Sequence, residues 1–470
     1  MKKQKQKRTV ATHRRKKQKK GKLEPLRIRE DAAGIDVGAT ELFVAVPPEK
    51  AQESVRCFGT FTRDLVALAE WLEQCGVRTV ALESTGVYWI PVFQILEERG
   101  FTVCLVNAEH LRNVPGRKTD VSDCQWIQQV HSLGLLNASF RPAQQVCALR
   151  SILRHREGLV QTASQQIQLM QKALDQMNLQ LHRVLSDITG VSGLAILDAI
   201  LAGERDLAQL AKLRDRAVKA SAETITKALE GDYRPEHLFT LRQSLKLYRF
   251  VQEQIVECQT QVREELGRWD SKADPADQPP PAGKTIKVEG LSAPEAENLR
   301  ENGYRVLGVD LTQVDGINGG FIQVFLTEVG PDLSRFRSGA AFANWLRLSP
   351  NPRVTGGKVS KSKTKKNANR LAKAFRMAAN ALLKSPSALG DCFRRFRARL
   401  GAPEAITALA HKLARIVYHL VTTGNPFDPA ILLQQQERQR KHQEKRLRKT
   451  AARLGFHLVP AEGALAASPF

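Results

Sequence analysis

Four carboxylates in the first third of the chain have the types and settings needed for metal-assisted chemistry: Asp36, Glu83, Asp120 and Asp123. Asp36 ends an apolar stretch beginning at Gly34, just before a glycine-containing turn, so its carboxylate is offered at the edge of a sheet. Glu83 closes the β-branched run Thr79 to Leu82 in the same way, before Ser84-Thr85-Gly86. Asp120 and Asp123 are three apart and share a face if their segment opens a helix. Like charges gathered within a few ångströms repel one another, and a divalent cation removes that conflict. Hard oxygen ligands suit Mg²⁺ or Mn²⁺, and two such ions about 3.5–4 Å apart can clamp the attacking and leaving oxygens of a phosphodiester. Singly, each residue has an ordinary reading, Asp36 as a turn residue, Asp120 and Asp123 as a helix cap and a first-turn acid. The argument rests on the four together.

A second constellation lies far downstream. Arg353, Lys358, Lys361, Lys363, Lys365, Lys366, Arg370 and Lys373 concentrate positive charge on a glycine-rich loop and the helix that follows, with no acid between them. Leu371, Phe375, Ala378 and Leu382 give that helix a buried face and leave the cations outside. A solvated face is the usual reading of such a run, but eight unrelieved cations favour a phosphate-binding one. Shortly before it, Val314-Asp315-Gly316-Ile317-Asn318-Gly319-Gly320 is similar to a helix-hairpin-helix turn, whose amides can hold a phosphate.

The elements that must position these groups follow from periodicity. Ala33 to about Phe140 reads as α/β: three short strands joined by tight turns, then a helix from Leu65 to Cys75, the strand Thr79 to Leu82, a helix from Ile90 to Arg99 and the strand Phe101 to Val106. Three meandering strands followed by alternating helix and strand is the order of ribonuclease H-like folds. Val160, Ala163, Ile167, Met170, Leu174, Met177 and Leu181 form a coiled-coil seam, and a second run from Leu241 to Leu266 can pair with it in a hairpin or between chains. Ser271 to Gly283, with Pro279-Pro280-Pro281, reads as a semi-rigid linker. The predicted division is a disordered basic arm (1–30), an α/β catalytic domain (31–145), a coiled-coil helical region (146–270), a Pro-rich linker (271–303), a mainly α C-terminal domain (304–428) and a basic tail (429–470). Within that tail, Gln434 to Lys449 is expected to be a solvated helix or disordered.

Composition bounds the partner. Lys and Arg number 72 against 48 Asp and Glu, a formal charge of +24, which points to a polyanion. No apolar run reaches membrane-spanning length and the basic N-terminus leads into no signal-peptide core, so a soluble cytoplasmic, nucleoid-associated protein is expected, with no membrane partner. Seven cysteines without a CxxC pair read as reduced, mostly buried thiols. His411 and His419, eight apart, read as packing or surface histidines.

Gly34-Ile35-Asp36, Glu83-Ser84-Thr85-Gly86 and Lys118-Thr119-Asp120-Val121-Ser122-Asp123 resemble, in order and spacing, the three signatures of the DEDD transposases of the IS110 group of bacterial insertion sequences. The resemblance covers roughly residues 33–180 and 305–425. It implies a RuvC-like domain, a coiled-coil insertion and a C-terminal transposase domain whose hydroxyl takes a DNA phosphate covalently. In Val354-Thr355-Gly356-Gly357-Lys358 the family's serine position is held by Thr355, bulkier and stiffer at χ1. Ser362 is the alternative nucleophile and Ser360 a third. The resemblance further implies donor and target DNA, a structured guide RNA and a homo-oligomer, dimer or tetramer, for which the coiled-coil stretches are the natural means. The expected function is therefore an RNA-guided DNA recombinase using Mg²⁺ or Mn²⁺. Two alternatives stand beside it. One is a non-enzymatic nucleic-acid-binding protein on a decayed RuvC-like fold. The other is an actin-like ATPase or sugar kinase, since Asp36-Val37-Gly38-Ala39-Thr40 also fits a phosphate turn, although the second turn that fold needs, Gly308-Val309-Asp310-Leu311-Thr312, lacks its glycine.

Overall fold

A computed structural model of the chain describes residues 29–84, 86–107, 120–136, 138–274, 293–350, 353–356, 358–361, 364 and 369–457; for Asp120, Val121, Ser122, Arg353, Val354, 358–361, Gln435, Gln436 and Gln439 it describes the backbone course only. The basic arm before residue 29 and the linker's proline triplet lie outside the described residues. The chain divides into two compact units, 1–141 and 142–470.

The first unit is a mixed five-stranded sheet. Its strands are β1 (Ala32–Val37), β2 (Glu41–Ala45), β3 (Val55–Gly59), β4 (Thr79–Glu83) and β5 (Thr102–Val106), in the order β3-β2-β1-β4-β5. The first three pair antiparallel, as their short turns require, and β1, β4 and β5 pair parallel across helical connections. This is the strand order expected from the pattern of three meandering strands followed by helix and strand. Helices α1 (Thr62–Gln74) and α2 (Trp89–Glu98) pack their apolar faces on one side of the sheet, against Ile35, Val37, Val44, Val80 and Leu82. Both begin and end within a few residues of the sequence expectation.

Helix α3 (Asp120–Ser132) covers the other side, where the strands carry the small residues Ala32, Gly34 and Ala81. Its far end is tied down by His131, buried and 2.9 Å from Thr79 Oγ1. Thr79 gives its own proton to the Thr102 carbonyl, so the imidazole Nε2–H donates to the threonine oxygen.

In the second unit, α4 (Gln144–Gln176) and α9 (Pro235–Gly267), 33 residues each, fold back on one another within the chain. Ala163 meets Val251 and Ile255, while Met170 and Leu174 meet Leu241 and Leu245, so the pair runs antiparallel. Between them, a small helical body of α5 (Leu181–Val184), α6 (Val191–Ala202), α7 (Leu207–Lys212) and α8 (Ala222–Ala228) caps the hairpin and shares its core. The heptad reading did not separate this body from the helices that carry it. Arg156 is buried on α4, and its guanidinium meets the amide oxygen of Gln259 on α9 at 2.8 and 3.0 Å.

The remaining helices are α10 (Ala293–Leu307), α11 (Gly319–Glu328), α12 (Gly339–Trp345), α13 (Arg370–Ala381), α14 (Ala388–Leu400), α15 (Ala402–Thr423) and α16 (Pro429–Arg453). Helix α10 occupies 293–303, which the sequence reading gave to the linker, because Ala296, Leu299 and Arg300 have a core to enter. The core joins Phe321, Phe342 and Phe375, with ring centroids 4.8 and 6.3 Å apart in edge-on pairs. The segment 353–361 is a two-stranded hairpin, β6 (Arg353–Thr355) and β7 (Lys358–Lys361), rather than an irregular loop. Gly356, at φ +57°, takes the positive φ that a tight hairpin turn asks for. All seven cysteines are free, four of them buried. Among the described residues no helix is long and apolar enough to cross a membrane.

Burial, with the nearby Arg29 charge adding to it, pushes the His131 imidazole down to about 4, against the weaker opposing pull of Asp31. Between pH 6.5 and 4 the unfolded chain binds a proton that the folded one refuses, so stability falls as pH falls through that window, by up to about 3 kcal/mol. Urea unfolding at pH 7 and pH 4.5 measures the loss, and His131→Gln should remove most of this pH dependence.

Candidate active site

Parallel register brings the first two carboxylates together. Ile35 pairs with Leu82, so the next step along each strand sets Asp36 on β1 beside Glu83 on β4, at the carboxyl ends of neighbouring strands. Alternation puts both on the face that α3 covers, because Gly34 and Ala81, two residues earlier, point to that helix. Both side chains are half-buried.

Helix α3 brings the other two, and its contacts fix its direction. His131 lies at the level of Thr79, where β4 begins, and Gln128 Nε2 donates to the Ala32 carbonyl at 3.2 Å. Cys124 and Gln128 press their backbones on Gly34: a Cβ there would lie 2.4 Å from the Cys124 carbonyl oxygen and 2.3 Å from the Gln128 nitrogen. The helix therefore runs opposite to the strands, and its first turn, Asp120 to Asp123, reaches the level of Asp36 and Glu83. Asp123 is half-buried, with Oδ1 shielded from solvent. Burial pushes the neighbouring Cys124 thiol up to about 11, and the charges of Asp36 and Asp123 both add to the rise, so the two carboxylates act on the same thiol. The side chain of Asp120 lies outside the described residues.

Carboxylate oxygens, here on two adjacent strand ends and the first turn of a helix, are the donor type that a hard divalent cation takes. Among the described residues, Asp36, Glu83 and Asp123 included, no three His, Cys, Asp or Glu side chains are gathered closely enough to hold a metal ion. The fourth carboxylate, Asp120, is the one described by its backbone alone.

The downstream candidates are placed in the second unit. Thr355 is exposed on the last residue of β6, paired with Lys358 across the hairpin turn. Arg353, Lys358, Lys361 and Ser360 lie on the same two strands. Ser362, Lys363, Lys365 and Lys366 lie outside the described residues. Arg370, at the start of α13, is engaged with Glu157 of α4 at 2.6 Å, a partner that a search for acids between the cations overlooks. Gly316, at φ +86°, is pressed on the Ala378 carbonyl of α13, which gives the glycine-rich turn a packing reason, and Asn318 caps α11 by accepting from the Phe321 amide at 3.0 Å. Asp310 is buried and takes both Arg300 Nε (3.0 Å) and Nη2 (2.7 Å) on one oxygen, while the other accepts from Thr312. The turn the actin-like alternative needs is thus closed by an internal ion pair.

A cleft of about 990 Å³ in the second unit has no counterpart among the sequence candidates. Arg337, His411, Lys412, Arg415 and His419 line it beside Phe396 and Phe427. The spacing His411, Arg415, His419 along one face of α15 was the legible signal.

A family model for IS110-type DEDD transposases matches residues 33–179, and a second, described as transposase of the IS116/IS110/IS902 family, matches residues 310–391. No curated protein matches the chain.

Gly34→Ala should cost about 3 kcal/mol, because its methyl group meets helix backbone that no rotamer change can move aside. The denaturant midpoint measures this, and an unchanged midpoint would show that α3 does not rest on Gly34. Arg300→Met should cost about 3–5 kcal/mol by stranding the buried Asp310 carboxylate, and Arg300→Met with Asp310→Leu should recover much of that loss.

Proposed function

The chain belongs to the IS110 group of transposases, enzymes of DNA strand cleavage and transfer, and from that premise we propose that Asp36, Glu83, Asp120 and Asp123 hold Mg²⁺ or Mn²⁺ for phosphodiester chemistry, with a hydroxyl of the C-terminal segment as the nucleophile. The observation that carries this is the setting of Asp36 beside Glu83 at parallel strand ends, with the first turn of α3 brought to the same level by contact at Gly34. When bound, the metal neutralises charge that builds on the phosphate during displacement.

The nucleophile is Thr355, exposed beside the hairpin turn. Its Oγ1 forms the bond to phosphorus as the phosphorus–oxygen bond of the DNA strand breaks. The departing oxygen takes up a proton as the threonine loses one. A hydroxyl of a second DNA end then reverses the exchange, so the number of phosphodiester bonds is conserved. Ser362 is the alternative nucleophile. Arg353, Lys358 and Lys361 on the hairpin, with Lys363, Lys365 and Lys366 after it, hold DNA phosphates. Arg370 joins them only by exchanging Glu157 for a phosphate.

Target choice is delegated to a structured guide RNA, whose backbone the excess of cations suits. The protein works as a homo-oligomer in the cytoplasm, and the long α4–α9 hairpin, read as a coiled coil, presents Phe239 and Phe250 as exposed anchors for a second copy.

Asp36→Asn should reduce strand exchange on supplied donor and target DNA by about 1,000-fold or more, roughly 4 kcal/mol, and leave RNA binding nearly intact. Undiminished recombination would remove the metal reading. Trapping the protein–DNA adduct and mapping it by mass spectrometry should find Thr355; an adduct on neither Thr355 nor Ser362 overturns the covalent step.

A further inference from the structure

Helix α16 lies beyond both matched segments and has no part in the site described above. Its 25 residues carry eight Lys or Arg against two acids, Glu437 and Glu444. From Leu433 through Thr450 every described side chain is exposed, and among the described residues Arg448 with Glu444, at 2.6 Å, is its one ion pair. A helix polar all round needs many such pairs or a partner, and like charges at helical spacing cost it about 0.2–0.5 kcal/mol each.

The charges are sorted by face. At about 100° per residue, Lys441, Lys445, Arg438 and Lys449 fall within about 80° of one another. Arg448 on one flank, with Arg446 and Arg453 on the other, widens this to about 160°. Both acids lie outside that arc, on the side of Leu447. The helix is firmly rooted: Asp428 accepts from the Ala430 amide at 2.8 Å, and Leu432 is buried. The cleft at the root continues the positive surface with Arg337 and Arg415.

We infer that α16 is a DNA-holding helix that lies along the major groove of a B-form duplex, the long side chains of Arg438, Lys441, Lys445 and Lys449 reaching the two phosphate rows that border it. The inference rests on the chain's being an enzyme that acts on DNA. That groove, about 12 Å wide, admits an α-helix, whereas the deep and narrow major groove of A-form RNA does not. A membrane surface would ask for a continuous apolar face opposite the cations, and here Glu437, Gln443 and Glu444 interrupt it.

The test uses the full chain carrying Arg438→Gln, Lys441→Gln, Lys445→Gln and Lys449→Gln, changes that keep helix propensity. A 30-base-pair duplex DNA of arbitrary sequence, the same duplex as RNA, and phosphatidylserine vesicles are titrated across a salt series. The expected result is a 10- to 100-fold weaker DNA affinity near 100 mM salt, with the log–log salt slope shallower by about 2–4, and with circular dichroism and melting temperature unchanged. Arg440→Gln, on the other side of the helix, should change the slope little. An unchanged DNA slope overturns the inference, as does a loss confined to RNA or to vesicles. If that variant melts earlier, the four single variants replace it, and each must make the slope shallower by about one. Because binding is read without strand exchange, a dead Asp36→Asn enzyme still passes this test, so failure here and failure of the metal reading are distinct.

Discussion

The contact on which the candidate site depends is the approach of helix α3 to strand β1 at Gly34, where helix backbone occupies the space a side chain would fill. Side chains that stand out of a pleated sheet normally hold whatever packs on that face away from its backbone. Here the cushion is a run of small residues, Ala32, Gly34 and Ala81, so the helix sinks. Its first turn, from Asp120 to Asp123, then lies at the level of the β1 and β4 ends that carry Asp36 and Glu83. His131 and Gln128 fasten the other end, through Thr79 and the Ala32 carbonyl. The level of that first turn is thereby set by packing and hydrogen bonds well away from the acids it carries.

The second unit is organised by polar contacts sunk into apolar surroundings. Arg300 and Asp310 lock α10 to the turn before α11, and Arg156 with Gln259 fixes the facing of the two long helices. Buried charges of this kind cost desolvation and are retained with their partners because either one alone costs more. Arg150 reaches the Thr327 and Glu328 carbonyls at the end of α11, tying that helix to α4.

Much of this was legible in the sequence, and the limits have physical causes. The strand order follows from short turns and β-branched runs, and the carboxylates stand out because an acid closing a buried strand is unusual. The partner of Arg370 was not legible, since Glu157 lies 213 residues away. Nor was the helical body between the long helices, where Leu, Ile and Ala are frequent all round and one period masks another. The glycine-rich segment after Pro350 read as a loop, because a strand of three or four residues has too few alternations to be recognised.

What the sequence by itself determined is the inventory: four acids in order, a hydroxyl between cations, helices and strands of the right period, and a charge that demands a polyanion. These are local properties, and residues a few positions apart suffice to state them. Tertiary structure alone decided which neighbours meet: Asp36 beside Glu83, the helix sunk on Gly34, Asp310 closed by Arg300, Arg370 held by Glu157. Such meetings join residues tens to hundreds of positions apart. They depend on how closely two backbones can approach, and no spacing within one element encodes that distance.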